Sequence, residues 1–86
     1  MKISVELTLT PLQNEFEEAI ISFIQKLRAS NLTVLENPLS TQVYGDYDTV
    51  MQLITLELKN TFELVEHGLL FMKIVKSDRS DYEPNF

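Results

Sequence analysis

Ile3, Val5, Leu7 and Leu9 occupy every second position at the start of the chain, with Ser4, Glu6 and Thr8 between them. A period of two with one apolar face predicts a half-buried strand over residues 2–9. The period then lengthens. Leu12, Phe16, Ala19/Ile20, Phe23/Ile24 and Leu27 fall on one side of a helix, and Gln13, Glu17, Glu18, Gln25, Lys26 and Arg28 on the other, to about Ser30. Thr10 suits the N-cap, Pro11 the first helical position, and Gln13 completes a capping box. Residues 32–36 read as a short strand and Asn37-Pro38 as a turn. Residues 39–45 read as a third strand, close enough to the second to form a hairpin. Asp46 is the expected cap of a second helix, and Asp48 suits its first turn. Tyr47, Val50/Met51, Ile54, Leu58, Phe62 (or Thr61) and Val65 mark its apolar stripe. His67-Gly68 fits its end, with the glycine left-handed. Residues 69–76 form the last strand, which is apolar on both faces: Leu70, Met72 and Ile74 on one, Leu69, Phe71 and Val75 on the other.

Strand, helix, strand, strand, helix, strand is the order of two interleaved βαβ units. Right-handed crossovers then predict an α+β, ferredoxin-like βαββαβ sandwich with an antiparallel sheet of order 4-1-3-2 and two helices on one face. A single domain is expected over residues 1–86, with its core at about 2–76 and an irregular tail at 77–86. The face turned away from the helices should carry Ser4, Glu6, Thr8, Ser40, Gln42, Tyr44, Leu69, Phe71, Lys73 and Val75. A bare face with several large apolar groups calls for a cover. A second sheet from an identical subunit is the simplest one, so a homodimer or homotetramer through the sheet face is expected.

Composition narrows the chemistry. The chain of 86 residues contains no cysteine, which excludes disulfides, thiolate metal sites and cysteine nucleophiles. Thirteen acids against seven bases give a net charge of −6, the wrong sign for nucleic acid or an anionic membrane. No apolar run approaches the roughly 18–20 residues that span a bilayer, and the opening residues alternate rather than forming a signal peptide. The expected compartment is the cytoplasm.

No catalytic or metal-binding constellation stands out. His67 is the single histidine, at a helix end where a contact with the helix dipole accounts for it. Asp46 and Asp48 have a spacing found in calcium loops, but the rest of that pattern is missing and helix capping explains both. No elbow presents a nucleophilic serine, and the two glycines, Gly45 and Gly68, cannot build a phosphate loop. Two polar clusters remain. Residues 37–46 crowd hydroxyl, amide and carboxylate groups around a strand that should be central. Lys76-Ser77-Asp78-Arg79 ends the last strand and reads as a salt-bridged turn.

Three segments together resemble the thiamine-binding, YkoF-like family. They are Ile-Ser-Val-Glu-Leu-Thr-Leu-Thr-Pro-Leu (3–12), Asn-Pro-Leu-Ser-Thr-Gln-Val-Tyr-Gly-Asp-Tyr-Asp (37–48, with Val50-Met51 and Leu53-Ile54) and Lys-Ile-Val-Lys-Ser-Asp-Arg (73–79). The resemblance implies a ferredoxin-like subunit assembled through its sheets, which binds thiamine or its hydroxymethylpyrimidine moiety without catalysis and needs no cofactor. Thr41 and Gly45 fall on the family's threonine and glycine, whereas Tyr44 stands where an acidic residue is expected. An aminopyrimidine needs directed donors and acceptors beside an apolar wall. Ser4, Glu6, Thr41, Gln42 and Tyr44 are the candidates to supply them. A thiazolium cation would favour Tyr44 or Tyr47, or the carboxylate of Glu6 or Asp46. The alternative is an oligomeric interaction or regulatory module whose polar third strand is simply interface.

Overall fold

The computed structural model describes residues 1–12 and 17–84. Its elements are β1 (Lys2–Pro11), α1 (Glu17–Arg28), β2 (Thr33–Glu36), β3 (Thr41–Asp46), α2 (Tyr47–Leu64) and β4 (Gly68–Val75). The four strands form one sheet of order β2-β3-β1-β4, with every pair antiparallel, as the order of elements and right-handed crossovers predict. Ile3, Val5, Leu7 and Val43 point to the helix side. There they join Phe23 and Leu27 of α1 and Val50 and Ile54 of α2 in one buried cluster. No helix among the described residues is long and apolar enough to cross a membrane.

Several boundaries differ from the sequence reading, each for a local reason. β1 continues to Pro11, so Thr10 pairs with Leu69 in the ladder instead of capping a helix. β4 is long enough to carry the pairing on, and a proline without an N–H is tolerated at a strand's last residue. The Leu12 amide donates to the His67 carbonyl at 2.8 Å, which extends the same zipper. Gln13 and Phe16 lie outside the described residues. Asp46 has the extended backbone of an N-cap, but its side chain makes no capping bond. Its carboxylate instead accepts from the Met1 amino group at 3.2 Å, while the Tyr47 amide donates to the Met1 carbonyl at 2.9 Å. At the other end, α2 stops at Leu64 and Val65 is extended. Gly68 is therefore the first residue of β4, and no described glycine has a positive φ.

The buried stripe of α2 is Val50, Ile54, Glu57 and Thr61. It is rotated by about one residue from the expected line through Leu58 and Phe62. Tyr47 and Phe62 are exposed because the stripe must face both the sheet and α1, and those two positions lie on the flank. Leu12 is exposed as well.

Gly45 meets a packing demand rather than a conformational one. A Cβ at this position would stand 2.7 Å from Leu32 Cδ2 and 3.3 Å from Val50 Cγ2. Gly45→Ala is expected to lower stability by about 1–2 kcal/mol, because a half-buried Leu32 must swing away. Urea unfolding should show a lower midpoint with an unchanged slope.

Candidate functional site

Ladder registers fix which side chains share a face. Thr33, Tyr44, Ser4 and Val75 form one row across the sheet on the side away from the helices, and Leu35, Gln42, Glu6 and Lys73 form the next. Thr8 and Phe71 follow in a third row. The residues predicted for this face are where the alternation puts them, joined by Thr33 and Leu35 from the edge strand.

The candidate ligand residues do not meet at one place. Thr41 has the opposite parity from Gln42 and Tyr44, so it points to the helix side and is 7% exposed. Glu6 and Gln42 are brought together through Ser40. The Ser40 hydroxyl donates to Glu6 Oε2 at 3.1 Å, and Gln42 Nε2 donates to Ser40 Oγ at 2.8 Å. Ser4 is committed elsewhere. Its hydroxyl donates to the Ser77 carbonyl at 2.6 Å and accepts from the Arg79 amide at 2.8 Å, which ties the tail across the sheet. Tyr44 and Asp46 share a shallow hollow at the far end of β3 with Lys2, Thr49 and Asp78. The Met1 ammonium, by hydrogen bond and then by charge, holds the Asp46 carboxyl below the usual range. Asp78 is likewise lowered, by hydrogen bonds from the Ser80 hydroxyl and amide. The expected salt bridge within residues 76–79 takes another form, since Arg79 Nε donates to the Ser77 hydroxyl at 2.8 Å.

Thr41 lies at the base of a cleft of about 210 Å³ between the sheet, α1 and the β2–β3 turn. Leu7, Leu9, Ile20, Phe23 and Ile24 form its apolar wall, and Thr8, Asn37 and Ser40 line the polar side with Thr41. The turn that closes it is built by Asn37. The side-chain carbonyl of this residue accepts from the Leu39 amide at 2.8 Å and the Ser40 amide at 2.9 Å, and its backbone N–H donates to the Ser40 carbonyl at 3.1 Å. This is the local geometry an asparagine before proline favours. The apolar wall was missed as part of a site because each of its members also reads as core. The available signal was the parity of Thr41, a hydroxyl on the core face of a central strand.

Among the described residues, no three His, Cys, Asp or Glu side chains cluster as metal ligands. The cleft offers hydroxyls, an amide and carbonyls against an aliphatic and aromatic wall. That arrangement can hold a small heterocycle by stacking and a few directed hydrogen bonds.

No protein-family model matches the chain, and none of the curated proteins does. Solved structures do. Protein SP2199 from Streptococcus pneumoniae superposes with a TM-score of 0.84 at 22% identity, covering 94% of this chain and 92% of that one. A "putative thiamine biosynthesis/salvage protein" (TM0486) from Thermotoga maritima gives 0.81 at 18% identity, covering 90% and 85%. A domain of unknown function, DUF77, from Bacillus cereus gives 0.77 at 11% identity, covering 91% and 78%. At these identities the likeness is one of fold, and the chain has the α+β fold of these proteins over nearly its whole length.

Proposed function

We propose that this protein is a non-enzymatic binder of a small heterocycle, thiamine or its hydroxymethylpyrimidine moiety, and that it works as a homodimer or homotetramer assembled through the sheet face. The observation that carries the reading is the buried Thr41 at the base of an apolar-walled cleft. A hydroxyl there can direct an aminopyrimidine, with Phe23 and Leu9 as walls. Ligand pockets for drug-sized molecules run to roughly 300–1,000 Å³. A cleft of about 210 Å³ suits one ring better than two, so the pyrimidine is the preferred ligand. The likeness to a protein described in terms of thiamine biosynthesis or salvage supports the ligand class. A second reading, an interaction module without a small ligand, is favoured by the exposed Leu35 and Phe71 on the sheet face.

Thermal unfolding with hydroxymethylpyrimidine and with thiamine separates the two. At about 100 times its dissociation constant a ligand should stabilise the fold by roughly 2.7 kcal/mol, a Tm rise on the order of 10 °C in a domain this small. Thr41→Val should abolish the rise and Gln42→Ala, on the other face, should leave most of it. No rise with either compound at millimolar concentration puts the interaction module first.

A further inference from the structure

The helix layer carries an apolar surface of its own. Glu18, Ile21, Ser22 and Gln25 recur at helical spacing along α1 and form an open hollow of about 470 Å³ with Leu64 and Val65 at the end of α2. Val65 also lines a second hollow, of about 340 Å³, whose apolar sides are Leu12 and Phe62. Ile21, Leu64, Leu12 and Phe62 are all exposed. Single exposed apolar residues are ordinary, but four that line two hollows joined at one residue mark a surface that is used. The charge around it has one sign. Glu17 and Glu18 open α1, and Glu63 stands in the last turn of α2, which holds no base. Cations are the usual choice there, because the last carbonyls of a helix carry partial negative charge. No lysine or arginine among the described residues lines either hollow. Lys26, next to Gln25, faces Glu57 at 3.9 Å, and Lys59 stands a turn back from Glu63.

We propose that this surface docks a basic amphipathic helix of another protein. Apolar side chains recurring at every third or fourth position of the partner fill the two hollows, as in other helix-in-groove complexes. Lysines or arginines beside them meet Glu17, Glu18, Glu63 and the negative end of the α2 dipole. Charge selects this occupant. A second copy of the chain would bring the same acids face to face, and the whole molecule carries −6. An anionic bilayer is repelled for the same reason. An opposite charge both steers the encounter and rejects acidic competitors. The surface shares no residue with the cleft at Thr41 and lies on the helix side, so it depends neither on a small ligand nor on what covers the sheet face.

The probe is a labelled synthetic helix of about 15 residues, with leucine at every third or fourth position and lysine elsewhere. One control peptide has glutamate for every lysine, and a second has serine for every leucine. Fluorescence anisotropy should show micromolar binding of the probe and at least tenfold weaker binding of either control. Raising the salt from about 0.1 to 1 M should weaken binding, since the Debye length falls from about 10 to 3 Å. Leu64→Ser and Ile21→Ser replace residues that are 67% and 52% exposed and lie outside the buried cluster, so the fold should survive them. Each should weaken binding at least fivefold. Leu56→Ser changes an equally exposed residue of α2 outside both hollows and should not. The double variant Glu18→Gln, Glu63→Gln should bind more weakly and with less dependence on salt. A dissociation constant above about 1 mM overturns the proposal. So does a serine control that binds as well as the probe, or a Leu56→Ser effect as large as that of Leu64→Ser, since either would reduce the binding to unplaced charge attraction. Self-association in sedimentation that Leu64→Ser abolishes would put a second copy on this surface and overturn the basic helix as its occupant.

Discussion

Phe23→Ala is expected to cost about 3–5 kcal/mol, the largest loss from any single truncation among the described residues. Phe23 is 2% exposed and belongs to the one contiguous cluster that holds both helices to the sheet, with Leu7, Leu27 and Ile54 among its members. Truncation removes the transfer energy of a ring and leaves a cavity. The cavity cannot collapse easily, because Leu7 is fixed by the β1 ladder and Leu27 by the helix. Domains of this size have a total stability of only about 5–10 kcal/mol. A Tm fall of roughly 15–30 °C is therefore expected, at about 4–8 °C per kcal/mol. Phe23→Leu keeps most of the volume and should cost about 1–1.5 kcal/mol. The milder variant also reports on function. Phe23 forms part of the cleft wall, so Phe23→Leu should stay folded and still reduce the Tm rise given by the pyrimidine. Urea unfolding of both variants, with unchanged slope, checks the stability terms. A Phe23→Ala cost below 1 kcal/mol would mean that the helix layer is not anchored there.

The sheet was legible in the sequence because two-residue alternation carries its own address. Ile3, Val5 and Leu7 could face only one way, and strand order followed from chain order and handedness. The same rule also held information that the grouping of candidate residues passed over. Thr41 and Gln42 are neighbours in one strand, so they must point to opposite faces, and of the two only Thr41 lines the cleft. The hydrogen bonds of Ser4 were not legible at all. Its partners, Ser77 and Arg79, are more than 70 residues away and carry no periodic signal. Thr10 and Pro11 read as a helix start because local capping chemistry is strong. The ladder to Leu69 and Gly68 won because it satisfies backbone groups that a cap would leave open. In α2 the apolar residues surround more than half the helix, so the pattern fixed its existence but not its rotation. Glu57 entered the core, and Phe62 left it.

That rotation sets up the second large effect. Glu57 is 8% exposed, and its Oε2 is buried without a hydrogen-bond partner. The nearest cation is Lys26 Nζ on α1 at 3.9 Å, on a side chain that is half exposed. A pair this long, with one end in water, returns little of what burying a carboxylate costs. Glu57→Leu is therefore expected to raise stability by about 1–3 kcal/mol, because an apolar side chain of similar volume replaces an unsatisfied one between the helices. Lys26→Met should act in the opposite direction, by about 1 kcal/mol, since it leaves the carboxylate with no cation at all. In the double variant the Lys26 substitution should become nearly neutral, which isolates the coupling between the two groups. Denaturant unfolding of the four proteins closes the cycle. A Glu57→Leu variant less stable than the parent by 1 kcal/mol or more would show that the carboxylate holds the two helices together. The expected gain would show instead that the core tolerates Glu57, and that stripe rotation in α2 is set by Val50 and Ile54 against the sheet.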